Sequence, residues 1–155
     1  MIPEQVNKFF DLDSKGLFEK AQRDYKSLTE EGTHDNIFNF FVTAYHLKDY
    51  IKYQYNKDEA DDIRTFGKME NLLSLAGFIA NKGKHLKVDQ RYNNMETKHK
   101  PSIKYDDDHS CDDEDLYFDE TFMIEDSNGD RHSAYVIAKE LLTEWENYMK
   151  HEGIL

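Results

Sequence analysis

The chain has 155 residues and a mass of 18.4 kDa, which fits a single domain over residues 1–155. Apolar residues make up only 38% of it, but ten Phe, ten Tyr and one Trp supply enough contact area for a folded core, so a disordered chain is disfavoured. The net charge of −12 disfavours nonspecific attraction of nucleic acid to the whole surface, because phosphate is itself negative.

The first half of the chain carries helix patterns. Residues 6–10 predict a short turn of helix, and Asp13 offers a capping side chain for a helix predicted over residues 15–30. Two aromatic-rich helices are predicted over residues 36–55 and 66–85, joined by a charged connection. Because apolar residues recur every three or four positions in all three helices, their apolar faces are expected to form one core.

The pattern changes after the third helix. Residues 86–92 alternate apolar and polar residues, as a half-buried strand does, whereas residues 93–115 carry few apolar residues and predict a long loop. Strands are predicted over residues 117–125 and 131–135, on either side of Asn128-Gly129, which favours a tight hairpin turn. The second half therefore contains a small antiparallel hairpin or sheet.

A last helix is predicted over residues 133–151. Its inward residues are predicted to be Ala134, Ile137, Ala138, Leu141, Trp145, Tyr148 and Met149. The predicted fold class is mainly α within the α+β class: a helical bundle with a small antiparallel β-hairpin or sheet inserted before the C-terminal helix.

Each of the two aromatic-rich helices carries a line of polar residues along one face. Asn39, Thr43, His46 and Asp49 recur at spacings of 4, 3 and 3, so they share one helix face. Asp49 is placed to fix the tautomer of His46, which would let the histidine act as a general acid or base. The alternative is a histidine that is simply packed and hydrogen-bonded.

The second polar line consists of Asn71, Ser74, Asn81 and His85. If the two lines face each other, His46 and His85 are brought into one site, with ring nitrogens about 3 to 6 Å apart. Otherwise His85 interacts with the free carbonyls at its helix end. As metal ligands, His46 and Asp49 would be three residues apart and His85 far along the chain, which falls short of a metal signature. Neither a metal nor a cofactor is predicted.

Charge is distributed unevenly in the second half. Residues 82–104 are locally basic, with candidate phosphate contacts at Lys82, Lys84, Lys87 and Arg91. Residues 106–120 carry nine acids and no Lys or Arg, and the aspartates singled out there are Asp107, Asp108, Asp112 and Asp113. This acidic run is either a solvated loop that partly neutralises the basic segment or a mimic of phosphates in the nucleic-acid site of a partner protein.

Compartment is indicated by cysteine use and hydropathy. Cys111 is the single cysteine, so an intramolecular disulfide is excluded. Residues 1–30 contain no apolar run that resembles a signal sequence, and no stretch approaches the roughly 20 apolar residues of a membrane span. The sequence therefore predicts a cytoplasmic protein without a membrane segment.

Two segments carry a family resemblance. FFVTAYHLKDYI at residues 40–51 and FIANKGKHL at residues 78–86 resemble a group of small bacterial and phage proteins with TA-x-HL-x-D and IAN-x-x-KH segments. More distantly, the paired helices are similar to the HEPN superfamily, whose motif is an arginine, a polar residue and a histidine. Asn81 and His85 match the last two elements, and no arginine precedes them in this helix.

The resemblance implies a module that acts in phage–host conflict. As an enzyme it would be a metal-independent ribonuclease with His85 as acid or base, Asn81, His46 and Asp49 in the same site, and RNA as substrate. The competing hypothesis is a non-enzymatic acidic inhibitor that binds a host or phage protein, or a complex, that handles nucleic acid. The oligomeric state is left open, with a homodimer as one option.

Overall fold

The computed structural model describes residues 11–84, 96–99, 122–125 and 130–155. Its helices are α1 (Ser14–Glu30), α2 (His34–Tyr55), α3 (Met69–Lys84) and α4 (Ala134–His151). Its strands are β1 (Glu96–His99), β2 (Phe122–Glu125) and β3 (Arg131–Ser133), which form one antiparallel sheet in the order β1-β2-β3. The predicted class, a helical bundle with a small antiparallel sheet before its last helix, is confirmed.

The helix starts and ends follow from local side chains. The Asp13 carboxylate accepts a hydrogen bond of 2.7 Å from the Gly16 amide and caps α1, as predicted. Thr33 caps α2 in the same way by accepting 3.1 Å from the Asn36 amide. At the other end of α2, Asn56 adopts a left-handed conformation with φ of 51°, which ends the helix.

The core lies where α2 packs against the other three helices. Trp145 of α4 is fully buried, and its Nε1 donates a 2.9 Å hydrogen bond to the Ala44 carbonyl of α2. All the α4 residues predicted to face inward are buried. The large side chains Phe18, Phe40 and Phe78 of the other helices are also in the core. A single contiguous core is consistent with one folded unit.

The connection between α2 and α3 is more ordered than a charged linker. It contains a π-helical turn (Glu59–Ile63), whose Ile63 is buried in the core. Gly67 has a φ of +47° and lies against the Glu144 carboxylate, so a right-handed helix cannot run through it. For this reason α3 begins at Met69 and not at residue 66.

The sheet differs from the prediction in its boundaries. β1 falls within residues 93–115, for which the sequence predicts a loop. The loop is predicted because the strand's sequence, ETKH, lacks the alternation that marks a half-buried strand. β3 stops at Ser133, which serves as the N-cap of α4. The strand predicted over residues 86–92, the turn predicted over residues 6–10 and the Asn128-Gly129 turn lie outside the described residues.

Met123 of β2 pairs with Ser133 of β3, and the sheet is joined to α4 directly at that serine. None of the helices in the described parts of the chain is long and apolar enough to cross a membrane.

Candidate functional site

The polar line of α2 faces α1 at its centre. The Thr43 hydroxyl donates a 2.8 Å hydrogen bond to Asp24 Oδ2 and accepts one of 2.9 Å from Lys20 Nζ. Lys20 and Asp24 are themselves paired at 2.6 Å across one turn of α1. These three side chains satisfy one another, so the buried Thr43 is explained by helix packing.

His46 and Asp49 form the pair that the sequence predicts. His46 Nδ1 lies 3.0 Å from Asp49 Oδ2, and each side chain is about a third exposed. An ionised carboxylate can only accept, so the geometry places the proton on Nδ1 and leaves Nε2 as an acceptor in the neutral ring. The hydrogen bond from His46 is the main reason that the pKa of Asp49 lies below its ordinary value; Lys48 acts in the same direction and partial burial opposes both.

Lys48 is a charged residue whose role the sequence analysis missed. Its ammonium is nearly buried and lies 3.0 Å from Asp49 Oδ1, 3.3 Å from Glu59 Oε2 and over the Tyr45 ring. Arg64 also pairs with Glu59, at 3.0 Å. A signal was present, because Lys48 follows Ala44 by four residues and precedes Ile51 by three, and both are inward positions.

A groove of about 540 Å³ opens between α1 and α2, and we call it the α1–α2 groove. The described residues that line it are Leu12, Leu17, Lys20, Phe38, Asn39, Val42, Thr43, His46 and Tyr50. It combines apolar walls with an imidazole, an ammonium and an amide, which suits either a ligand or the side chains of a partner protein. None of these described lining residues belongs to α3.

The polar line of α3 does not meet that of α2 along the described residues. Ser74 Oγ donates 2.8 Å to the Glu70 carbonyl, and Asn81 Nδ2 donates 2.6 Å to the Gly77 carbonyl, so both bond within their own helix. Asn71 is exposed. The expected facing arrangement is replaced by contacts of α2 with α1, because Lys20 and Asp24 offer Thr43 direct partners.

The remaining predicted site residues are placed less fully. Lys82 and Lys84 lie in the last turn of α3. Outside the described residues are His85, Lys87, Arg91, Asp107, Asp108, Asp112 and Asp113. A shared site of His46 and His85 therefore stays a prediction. Within the described parts of the chain, no group of three or more His, Cys, Asp or Glu side chains could hold a metal ion.

Comparison with protein-family models, with curated proteins and with solved structures finds no significant match to this chain.

Proposed function

We propose that this is a non-enzymatic acidic binding protein that attaches to a protein handling nucleic acid. The observation that carries the proposal is the outer face of α2, defined by Phe38, Val42, His46, Asp49 and Tyr53. Phe38 and Val42 lie outside the core among the described residues, and Tyr53 is 65% exposed. A helix that is apolar on both its inner and outer sides is typically covered on both, which supports a role for this face in contacting another molecule.

The composition of this face suits a protein partner. Aromatic side chains interleaved with polar ones are enriched at protein interfaces, where Tyr adds a large contact area at low entropic cost. The polar groups His46 and Asp49 are already paired with each other, so they need no ligand to satisfy them.

Charge supports a partner with a basic surface. The net charge is −12, and the exposed acids Asp58, Asp61 and Asp62 follow α2 in the chain. Proteins that bind nucleic acid present Lys and Arg to phosphates, so acidic side chains can occupy the same surface. In this proposal the acidic run at residues 106–120 stands in for phosphates, and the setting is phage–host conflict in the cytoplasm, as the family resemblance suggests.

Affinity capture from nuclease-treated host lysate tests this function. The wild-type protein is expected to retain a basic partner that added duplex DNA or RNA displaces. Replacing Asp107, Asp108, Asp112 and Asp113 with Asn is expected to weaken capture about tenfold, since each lost charge removes part of the attraction. Capture that is unchanged by these four substitutions, or that nucleic acid does not displace, would exclude the mimic.

A ribonuclease is the second candidate, and the 3.0 Å pair of His46 and Asp49 favours it. A tautomer fixed by a carboxylate is what a general base needs. The purified protein would cleave RNA in the presence of EDTA, His85→Ala would abolish cleavage, and His34→Ala would serve as the matched histidine control. Cleavage that survives His85→Ala, or none on any RNA tested, would remove this candidate.

A further inference from the structure

A second opening lies between α3 and α4, with a volume of about 560 Å³, and we call it the α3–α4 cleft. It shares no described lining residue with the α1–α2 groove. Its apolar wall is formed by Leu72, Leu75, Met123, Val136 and Ile137. Val136 is 46% exposed, which is unusual for a large apolar side chain in this molecule. The size and lining match those of small-ligand sites.

Ser133 provides the first sign of a ligand. It lines the cleft, it is only 8% exposed, and its Oγ is buried without a hydrogen-bond partner among the described residues. Ser133 is also the N-cap of α4, yet its side chain makes no capping hydrogen bond. Buried hydroxyls are nearly always paired, and a serine at an N-cap normally accepts from the first turn. A bound molecule would supply the missing hydrogen-bond partner once the Ser133 side chain rotates about its χ1 angle.

The electrostatics of the cleft favour an anion. The N-terminus of α4, an 18-residue helix with no acid in its first turn, opens at Ser133 and contributes partial positive charge. Lys68 and Arg131 line the same cleft and make no ion pair within the described parts of the chain. Glu140 is the single acid among the described lining residues. The cleft therefore has more basic than acidic lining residues, whereas the whole chain has a net charge of −12.

We propose that the α3–α4 cleft binds a small organic anion whose carboxylate or phosphate head lies at the N-terminus of α4. The head accepts hydrogen bonds from the Ser133 hydroxyl and from Arg131 or Lys68, and the hydrocarbon body packs on the wall that includes Leu72, Val136 and Ile137. This site is independent of the outer face of α2, so it stands or falls separately from the binding function proposed above.

Titration of the full-length, ¹⁵N-labelled protein tests the site with probes of matched shape. Hexanoate and hexyl phosphate carry the head and the body, hexanamide keeps the body without the charge, and acetate keeps the head alone. Saturable shifts of the Ser133 to Val136 amide signals are expected with hexanoate or hexyl phosphate, and the tighter of the two identifies the preferred head. Hexanamide and acetate are expected to bind about tenfold more weakly. Equal binding of hexanamide would overturn the anion site, and equal binding of acetate would overturn the role of the apolar wall.

Variants separate ligand contact from a structural role. The double variant Lys68→Gln and Arg131→Gln is expected to weaken hexanoate binding about tenfold, whereas Lys139→Gln, an exposed lysine of α4 outside the cleft, leaves it unchanged. Ser133→Ala is expected to weaken binding without lowering the thermal midpoint, because the hydroxyl that it removes bonds to none of the residues that the structure describes. Hexanoate binding that none of these substitutions alters would overturn the proposal.

Discussion

The α1–α2 groove and the α3–α4 cleft have similar volumes, about 540 and 560 Å³, but use their polar groups differently. In the groove, Thr43 is bonded to both Lys20 and Asp24. In the cleft, the buried Ser133 hydroxyl has no hydrogen-bond partner in the described parts of the chain. Polar groups that satisfy one another are explained by the stability of the fold, whereas an unpaired hydroxyl at an open cleft, as at Ser133, points to a molecule that the fold does not contain.

The largest expected effect is on a buried contact whose polar groups are hydrogen-bonded to each other. The Ser14 amide and hydroxyl both donate to Gln54 Oε1, at 2.8 and 2.6 Å, in the buried contact between α1 and α2. Gln54→Leu leaves both donors without their acceptor and is expected to lower the free energy of unfolding by about 2–4 kcal/mol. Urea unfolding measures this, with exposed Gln22→Leu on α1 as the matched control. Equal losses for the two variants would show that pairing at this contact contributes little.

Two buried serines give the next test. Ser14 is bonded to Gln54 and Ser133 is unpaired. Ser14→Ala is expected to lower the free energy of unfolding by about 1 kcal/mol, whereas Ser133→Ala should leave it unchanged or raise it slightly. Both substitutions remove the same hydroxyl oxygen, so the difference reports chiefly the hydrogen bond. A loss at Ser133 as large as at Ser14 would mean that its hydroxyl has a partner within the protein.

The sequence predicts the helices and their inner faces well. Apolar periodicity located the buried residues of α4 and the main face of α2, and the spacing of three residues correctly predicted the hydrogen bond between His46 and Asp49. These features depend on contacts within one turn or one helix face, which local sequence records directly.

Longer-range features escaped the sequence. Which helix meets the polar line of α2 depends on Lys20 and Asp24, more than 18 residues away, and nothing local distinguishes α1 from α3 as the neighbour. The same applies to the α3–α4 cleft, whose Lys68, Met123 and Ser133 are brought together by the sheet and the helices. β1 was missed because strand pairing, not alternation, holds it in place.

A smaller effect is expected in the pH dependence of stability, through the hydrogen bond between His46 and Asp49. The pKa of Asp49 is held below its ordinary value of 3.8, chiefly by the hydrogen bond from His46. A lowered pKa means that the stabilisation is present above pH 3.8 and is lost as pH falls through the still lower value in the folded protein. Solvent screening keeps the effect small, because the carboxylate is 36% exposed.

Urea unfolding of wild-type protein and Asp49→Asn, at neutral pH and at pH values below 3.8, measures this dependence. The wild type is expected to be the more stable at neutral pH, and the difference should shrink in acid. Asp11→Asn, at an exposed position, is the control and should show no such trend. A difference between wild type and Asp49→Asn that stays constant across the range would contradict the assigned role of the pair.

The smallest effect on stability separates the two proposed surfaces. Tyr53 and Val136 are large apolar side chains that are 65% and 46% exposed, one on the outer face of α2 and the other in the α3–α4 cleft. Truncation of either to Ala is expected to change the free energy of unfolding by less than about 0.5 kcal/mol, since neither is part of the core. Their effects on binding should cross over. Tyr53→Ala should weaken capture of the protein partner and leave hexanoate binding intact, because Tyr53 is not among the described residues that line the cleft, whereas Val136→Ala should do the reverse. If one variant impaired both kinds of binding, the two surfaces would be coupled, and the outer face of α2 and the α3–α4 cleft would no longer serve two separate functions.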